Sequence, residues 1–318
     1  MAVWQVPSDL LARSRFTVSP MVDTVAALRA LHYPRTPWQR AWREPHVAAF
    51  RRMLAGRPVV RALLPASFHP RWTADFLTVA PASPEPTFAA ELAAVGRLSD
   101  ERIRADLRAT RPEPLAAELL ADGLTGQVVE LLDWVWTHTV EPEWPERERR
   151  LRADIVARTA ALSAGGWAGV FADLNRNVCW LGDGRLQVND YPEPPLSLDE
   201  AEQLVFLPAH CRRGWVVWDR PTRFGMVYPV HGILVDPTSP APDGLARLIG
   251  ANRAHILARL DTPLSTSQLV AVTGLSLGTV GDHLRVLLDA GAVGKRRSGR
   301  EVLYWRTPLG VALTSSTR

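Results

Sequence analysis

The chain has 318 residues, of which 47% are hydrophobic and 22% charged, with a formal net charge of +4. That length fits two or three domains, and those fractions belong to a folded globular protein, which excludes a long disordered chain. The small charge excludes both a polybasic tail and an acidic solvating chain. Only two cysteines occur, Cys179 and Cys211, excluding a disulfide scaffold and a four-cysteine zinc site.

In chain order, the start reads Met1-Ala2-Val3-Trp4-Gln5-Val6-Pro7, without the basic and apolar runs of a secretory leader. No stretch approaches the ~18 uninterrupted apolar residues of a membrane span. The longest candidate, Val128 to Val140, is broken by Glu130, Asp133 and His138. The expectation is a soluble chain in the reducing cytoplasm, with no membrane partner.

Residues 1–174 read mainly as helices. Ser19-Pro20 is a cap followed by proline at the first helical position, and Val22, Val25, Leu28 and Leu31 form one apolar face. His46 to Leu54 reads as a short helix after Pro45, closed by Gly56. Helices follow over Phe88 to Leu98, Asp100 to Arg108, Leu124 to Thr139, and Pro145 to Leu162, the last ending at Gly165-Gly166. The mixed-sign run Glu146-Arg147-Glu148-Arg149-Arg150 reads as a solvated face.

From Asn175 the period becomes strand-like. Val178 to Leu181 and Arg185 to Val188 flank a Gly182-Asp183-Gly184 turn, which reads as a hairpin. Gln203 to Leu207, Gly214 to Trp218, Phe224 to Tyr228 and Gly232 to Val235 read as further strands. Residues 175–236 are therefore expected to form a small antiparallel sheet packed on the helices, an α+β arrangement. Trp180, Trp215, Trp218, Phe224 and Tyr228 would either line a ligand pocket or fill the sheet's core, the more common fate of such residues. His210 and Cys211 point to opposite faces of a strand-like stretch and read as an edge histidine and a partly buried thiol.

Residues 237–244, rich in Pro, Ser and Asp, read as a linker. Composition changes across it. From Asp243 onward there are ten basic and five acidic residues, against 27 and 28 before it, and only two of the 26 prolines lie beyond it. The positive excess thus belongs to the last quarter of the chain, residues 245–318.

In that quarter Leu245, Leu248, Ile249, Ile256, Leu257 and Leu260 recur at helical spacing, predicting one helix that ends near Asp261 before Pro263. Ser265-Thr266-Ser267-Gln268 has the capping-box pattern and opens a second helix that Gly274 closes. Ser276 caps a third, Leu277 to Ala290, whose buried stripe is Val280, Leu284, Leu287 and Leu288. Two short helices about a Gly274-Leu275 turn make a helix-turn-helix. A hairpin follows, Ala292 to Arg297, a Ser298-Gly299-Arg300 turn, and Glu301 to Arg306, with Lys295, Arg296, Arg297 and Arg300 near its tip. That layout is a winged helix, with a recognition helix for the major groove and a basic wing for the flanking backbone.

The run from Ser276 to Val293, with Val280-Gly281-Asp282-His283-Leu284 and Asp289-Ala290-Gly291 inside it, resembles the recognition-helix signature of the ArsR-type winged-helix regulators. The wing, Arg297 to Tyr304 followed by Thr307-Pro308-Leu309-Gly310, matches as well. The resemblance covers roughly residues 245–313. It implies a homodimer on an inverted-repeat operator in double-stranded DNA, usually acting as a repressor. It places Ser276 at a capping position that can also meet a phosphate, Thr279, Asp282 and Arg285 towards the groove, and His283 beside the backbone. Arg285 is the best donor to a guanine edge, and the wing cations suit phosphates or the minor groove. Gly281 departs from the serine usual there, and Asp282 sets a negative charge on the DNA face.

The cysteine pairs and Asp/His pairs through which many such proteins hold metals are missing, and no metal or other cofactor is expected. Residues 1–236 resemble, more loosely, the large N-terminal extension of some ArsR-like regulators, and would supply dimer contacts, a small-molecule effector site, or both. No GxSxG elbow, P-loop, GxGxxG, HExxH or kinase signature occurs, so no catalytic residue is nominated and no enzyme is expected. The alternative is a protein-interaction module whose winged helix no longer reads DNA.

Overall fold

A computed structural model describes residues 1–69, 72–110, 113–174, 178–230, 243–260, 263–298 and 301–315. They fall into two units, residues 1–148 with 165–229, and residues 149–164 with 230–318. The class is α+β, as the sequence leads one to expect.

The first unit starts with a strand, β1 (Ala2–Gln5), then α1 (Ser8–Arg13) and β2 (Arg15–Phe16). These short elements lie ahead of the first helix expected, in a stretch read mainly as helical; the alternation of buried Ala2, Trp4 and Val6 with less buried Val3 and Gln5 is the signal for β1. Next comes α2 (Pro20–His32), capped by Ser19, whose Oγ accepts the Val22 N–H at 3.0 Å. It is buried on every side rather than on one stripe, because Ala26, Ala27 and Ala30 let neighbours approach. Met21, Val25, Leu28 and Leu31 join the helical core, while Val22 and Ala26 pack with Val205, Leu207, Val217 and Val227 of the strands.

Helix α3 (Pro37–Ala55) starts nine residues before the expected His46 and contains Pro45. Its entry is a capping box. The Gln39 N–H donates to Thr36 Oγ1 at 3.3 Å, and the Thr36 N–H donates back to the Gln39 side-chain oxygen at 3.2 Å. Helices α4 (Pro58–Ser67), α5 (Phe88–Val95) and α6 (Asp100–Thr110) follow. Helix α7 (Leu124–Val135) widens into a π-helical turn over Trp136–Val140. Helix α8 (Trp144–Leu174), whose residues 149–164 belong to the second unit, departs from helical geometry at Gly166, where the glycine pair predicts an end.

Gly123 ahead of α7 has no side chain to cap it, and Asp100 of α6 supplies one. Its carboxylate accepts the N–H groups of Gly123, Leu124 and Thr125 at 2.7, 3.1 and 2.8 Å, and the Thr125 hydroxyl at 2.8 Å. Partial burial would raise this carboxyl, but the donors of Thr125, Leu124 and Gly123 outweigh it and hold it at about 2, below the usual 3.8. Asp100→Ala is expected to cost about 1–2 kcal/mol at neutral pH in denaturant unfolding. Because the folded pKa is depressed, that stabilisation is present above pH 4 and lost as pH falls towards 2; the gap between the two proteins should close across that window.

Strands β3 (Cys179–Gly182), β4 (Arg185–Asn189), β5 (Leu196–Ser197), β6 (Gln203–Ala209), β7 (Trp215–Asp219) and β8 (Arg223–Pro229) complete the unit. They make two four-stranded sheets, ordered β3-β4-β1-β5 and β2-β6-β8-β7. The sheets are mixed rather than wholly antiparallel. The β3–β4 hairpin and the β1–β4 and β7–β8 pairs are antiparallel, but β1–β5, β2–β6 and β6–β8 are parallel. Strand β8 inserts between β6 and β7, so chain neighbours β6 and β7 do not pair. The strand expected at Gly232 to Val235 lies outside the described residues.

His210 is buried rather than at an edge. Its N–H and Nδ1 meet the fully buried Asp23 carboxylate at 2.8 and 3.1 Å, and Arg147 Nη1 donates to the same carboxylate at 2.9 Å. Arg147 also reaches Glu143 Oε2 through Nε and Nη2, each at 2.9 Å, and lies 5.1 Å from the centre of the Trp42 ring. Burial raises the Asp23 carboxyl, yet His210 and Arg147 outweigh it and hold it well below the ordinary carboxylate range. Arg147 therefore leaves the solvated face predicted from its charge run.

The second unit carries α9 (Asp243–Ile249), α10 (Ala251–Arg259), β9 (Leu264–Ser265), α11 (Thr266–Thr273), α12 (Leu277–Asp289), β10 (Val293–Ser298), β11 (Glu301–Arg306) and α13 (Pro308–Ser315). The single helix expected over Leu245 to Leu260 is two, because Gly250 takes φ +86°, a left-handed conformation that ends one helix and lets the next begin. Asp243 and Gly244 already belong to α9; the rest of the expected linker, 237–242, lies outside the described residues. Leu245, Ile256, Leu257, Leu269, Val280, Leu284 and Leu287 form this unit's core.

Candidate nucleic-acid interface

Helices α11 and α12 meet at a tight turn in which Gly274 has φ +70°, a value a β-carbon disfavours. Ser276 opens α12 as expected. Its Oγ accepts the Thr279 N–H at 3.2 Å and shares a hydrogen bond with Thr279 Oγ1 at 2.8 Å. Both hydroxyls are thus partly committed to the helix start. Val280, Leu284 and Leu287 are buried, and by helical periodicity the opposite face presents Gly278, Asp282, Arg285 and Asp289, all exposed.

That face carries one cation and two acids. The cation is held: Arg285 Nη2 lies 3.3 Å from Asp282 Oδ1, with 73% and 71% of the two side chains exposed. His283 sits off the face, half-buried, with its Nε2 enclosed and lacking a hydrogen-bond partner among the described residues. Gly281, half-buried, adds no side-chain atoms.

The wing is a three-stranded sheet ordered β10-β11-β9. Lys295, Arg296 and Arg297 are exposed on β10 opposite Tyr304, Leu303 and Val302 of β11. Arg300 lies outside the described residues. Two other arginines of the unit are committed to its own backbone. Arg306 donates through Nε to the Leu257 carbonyl at 2.7 Å and through Nη2 to the Ala258 carbonyl, closing the end of α10, and Arg253 Nε donates to the Ile249 carbonyl. Among the described residues Lys295, Arg296 and Arg297 thus form a run of three exposed cations on the wing.

The second group of expected binding residues separates. Trp215 and Trp218 line a cavity of about 260 Å³ within the first unit, together with Trp72, Arg29, Arg213 and Arg220. Phe224 and Tyr228 do not line it; they are core residues, packed on Trp4 at 5.7 Å and Phe16 at 6.2 Å between ring centres. Trp180 stacks on Phe171 at 5.7 Å, away from the cavity lining. The arginines were missed because they stand 191 residues apart at the extreme; the one local sign is Arg29, a lone cation in the apolar run Val25 to Leu31.

Among the described residues no group of three or more His, Cys, Asp or Glu side chains could hold a metal ion, and no helix is long and apolar enough to cross a membrane.

Two helices about a glycine turn, followed by a basic hairpin, define a winged helix-turn-helix domain. The sequence model of a helix-turn-helix domain family matches residues 251–295, from α10 into β10. No curated protein matches the chain, and no solved structure does. A helix-turn-helix domain is a DNA-binding domain of transcription regulators, and that is the class this part of the chain defines.

Proposed function

We propose that the chain is an ArsR-type regulator, a homodimer that binds an inverted-repeat operator through α12 and the wing and acts as a repressor. In this reading residues 1–229 hold a small-molecule effector site, the chain is not an enzyme, and it works in the cytoplasm, on the nucleoid when bound to DNA. The observation that carries it is the pairing of a capped, exposed helix with a wing bearing three consecutive cations, Lys295, Arg296 and Arg297. Leu248 on α9 and Leu309 and Val311 on α13 are exposed apolar side chains, which favours a second copy against this unit. An effector would act by binding one dimer geometry better than another.

One observation favours the protein-interaction reading, the Asp282–Arg285 pair on an outward face that is otherwise acidic or bare. The two readings part in one experiment. The full chain is equilibrated with pooled random duplex DNA over a salt series, and the retained DNA is sequenced. An enriched inverted repeat with a steep salt slope supports the regulator; binding no tighter than ~10⁻⁴–10⁻⁶ M, without enrichment, overturns it. Under the regulator reading Asp282→Asn removes a charge that repels phosphates and frees Arg285, and is expected to tighten operator binding roughly three- to tenfold near 0.1 M salt, measured by fluorescence anisotropy.

A further inference from the structure

The cavity of the first unit has a charge imbalance that its own residues do not relieve. Arg29 reaches it from α2, half-buried in that helix's apolar run Val25 to Leu31. Its Nη1 donates to Thr73 Oγ1 at 3.2 Å, and its guanidinium lies 5.9 Å from the centre of the Phe68 ring. No carboxylate pairs with it among the described residues. The burial of this guanidinium works against its charge, and the nearby Arg212 and Arg213 add to the strain. A buried cation of this kind is stabilised by an anion that enters with its own hydrogen-bond acceptors.

Two more arginines of the lining, Arg213 and Arg220, are exposed. Arg220 lies over Trp218, 4.1 Å from the ring centre, and its charge also acts on the lining acid Asp75. Two acids also line the cavity. Glu193 is exposed to solvent. The Asp75 carboxyl is pushed by burial towards its neutral form and accepts a hydrogen bond from Trp218. Neither neutralises Arg29. The walls include Trp72 and Trp215, and the Trp72 and Trp218 ring centres are 6.4 Å apart.

We propose that this cavity binds a small organic acid with a flat, apolar or aromatic body, its carboxylate meeting Arg29 and the edge of Arg220 and its ring lying among the tryptophans. A volume of about 260 Å³ is a little below the ~300–1,000 Å³ of drug-sized ligand pockets, which fits one or two fused rings. The site deepens the effector part of the function proposed above and rests on that part for its regulatory meaning; as a binding site it stands without DNA.

The test is isothermal titration calorimetry of the full chain, without DNA, using three probes: 2-naphthoate, 2-naphthamide and acetate. The acid is expected to bind saturably and roughly 10- to 100-fold more tightly than the amide, with acetate too weak to measure, because charge and ring must be present together. Arg29→Gln and, separately, the exposed Arg220→Gln should each reduce the preference for acid over amide, the second without disturbing a buried residue. Unchanged far-UV dichroism and melting temperature certify that each variant is folded. Equal affinity for acid and amide overturns the proposal, as does no saturable binding, or a preference that survives in both variants. Anisotropy on DNA is measured apart, so loss of the regulator reading leaves the calorimetric result standing, and the reverse.

Discussion

Reversing the wing charges with Arg296→Glu and Arg297→Glu is expected to reduce affinity for duplex DNA at least 100-fold near 0.1 M salt, with the fold unchanged. Both side chains are exposed on β10, opposite Leu303 and Val302 in the backbone ladder with β11. The effect is large because two of three adjacent exposed cations on the face proposed to meet phosphates change sign. Arg306 and Arg253 are committed to backbone carbonyls, and Arg285 is paired with Asp282. Each phosphate contact contributes about 0.9 to the slope of log K against log salt. The milder Arg296→Ala with Arg297→Ala should therefore lower that slope by about 2 and weaken all sequences alike, since phosphate contacts position without reading bases. Arg285→Ala should instead flatten the preference at one base position, costing about 1–3 kcal/mol of discrimination. Anisotropy titrations at four salt concentrations separate these outcomes. A wing double variant that binds with wild-type affinity would remove the wing from the DNA and leave the protein-interaction reading.

Asp23→Ala is expected to be the most damaging single substitution in the first unit, lowering unfolding stability by about 3–5 kcal/mol. Asp23 is fully buried and accepts from His210 and Arg147, themselves only 3% and 6% exposed. Its removal leaves an arginine and an imidazole enclosed without their shared anion. Glu143 still holds Arg147, which places the loss towards the lower end of that range. For a unit of this size the melting temperature should fall by on the order of 10 °C. Asp23→Asn, which keeps an acceptor but not the charge, should recover part of the loss. The pH dependence has a definite sign. A carboxyl held low in the folded state stabilises above its unfolded pKa and loses that contribution as pH falls, so the wild-type advantage over Asp23→Ala should shrink on acidification. A melting temperature within 2 °C of wild type would show that the surrounding core, not the ion network, carries the site.

The helix-turn-helix was legible because its signals are local. Ser276 lies three residues from the N–H it caps, Gly274 sits at the turn that requires it, and Val280, Leu284 and Leu287 recur at the helical period. The wing was legible for the same reason, as two strands about a short turn. The Gly250 break was not, because the apolar period runs through it and only the left-handed backbone there divides the helix. Helix α2 shows the same limit. Periodicity predicts one buried face, yet two layers enclose it, and Asp23 on it finds partners 124 and 187 residues away. The ten basic residues counted after the linker include Arg306, which looks like part of the wing and instead closes α10.

What chain order alone decided is the set of elements whose stabilising contacts fall within a turn or two of helix or across one hairpin: the caps, the recognition helix, the basic strand and the class α+β. What required the folded chain is every feature built from segments far apart in sequence. Tertiary packing set β8 between β6 and β7, buried His210 against Asp23, and drew Trp215 and Trp218 to a cavity with Arg29 while sending Phe224 and Tyr228 to the core. The physical reason is that a side chain's type limits what it can do, whereas its charge state and solvent exposure are set by whichever neighbours the fold brings to it.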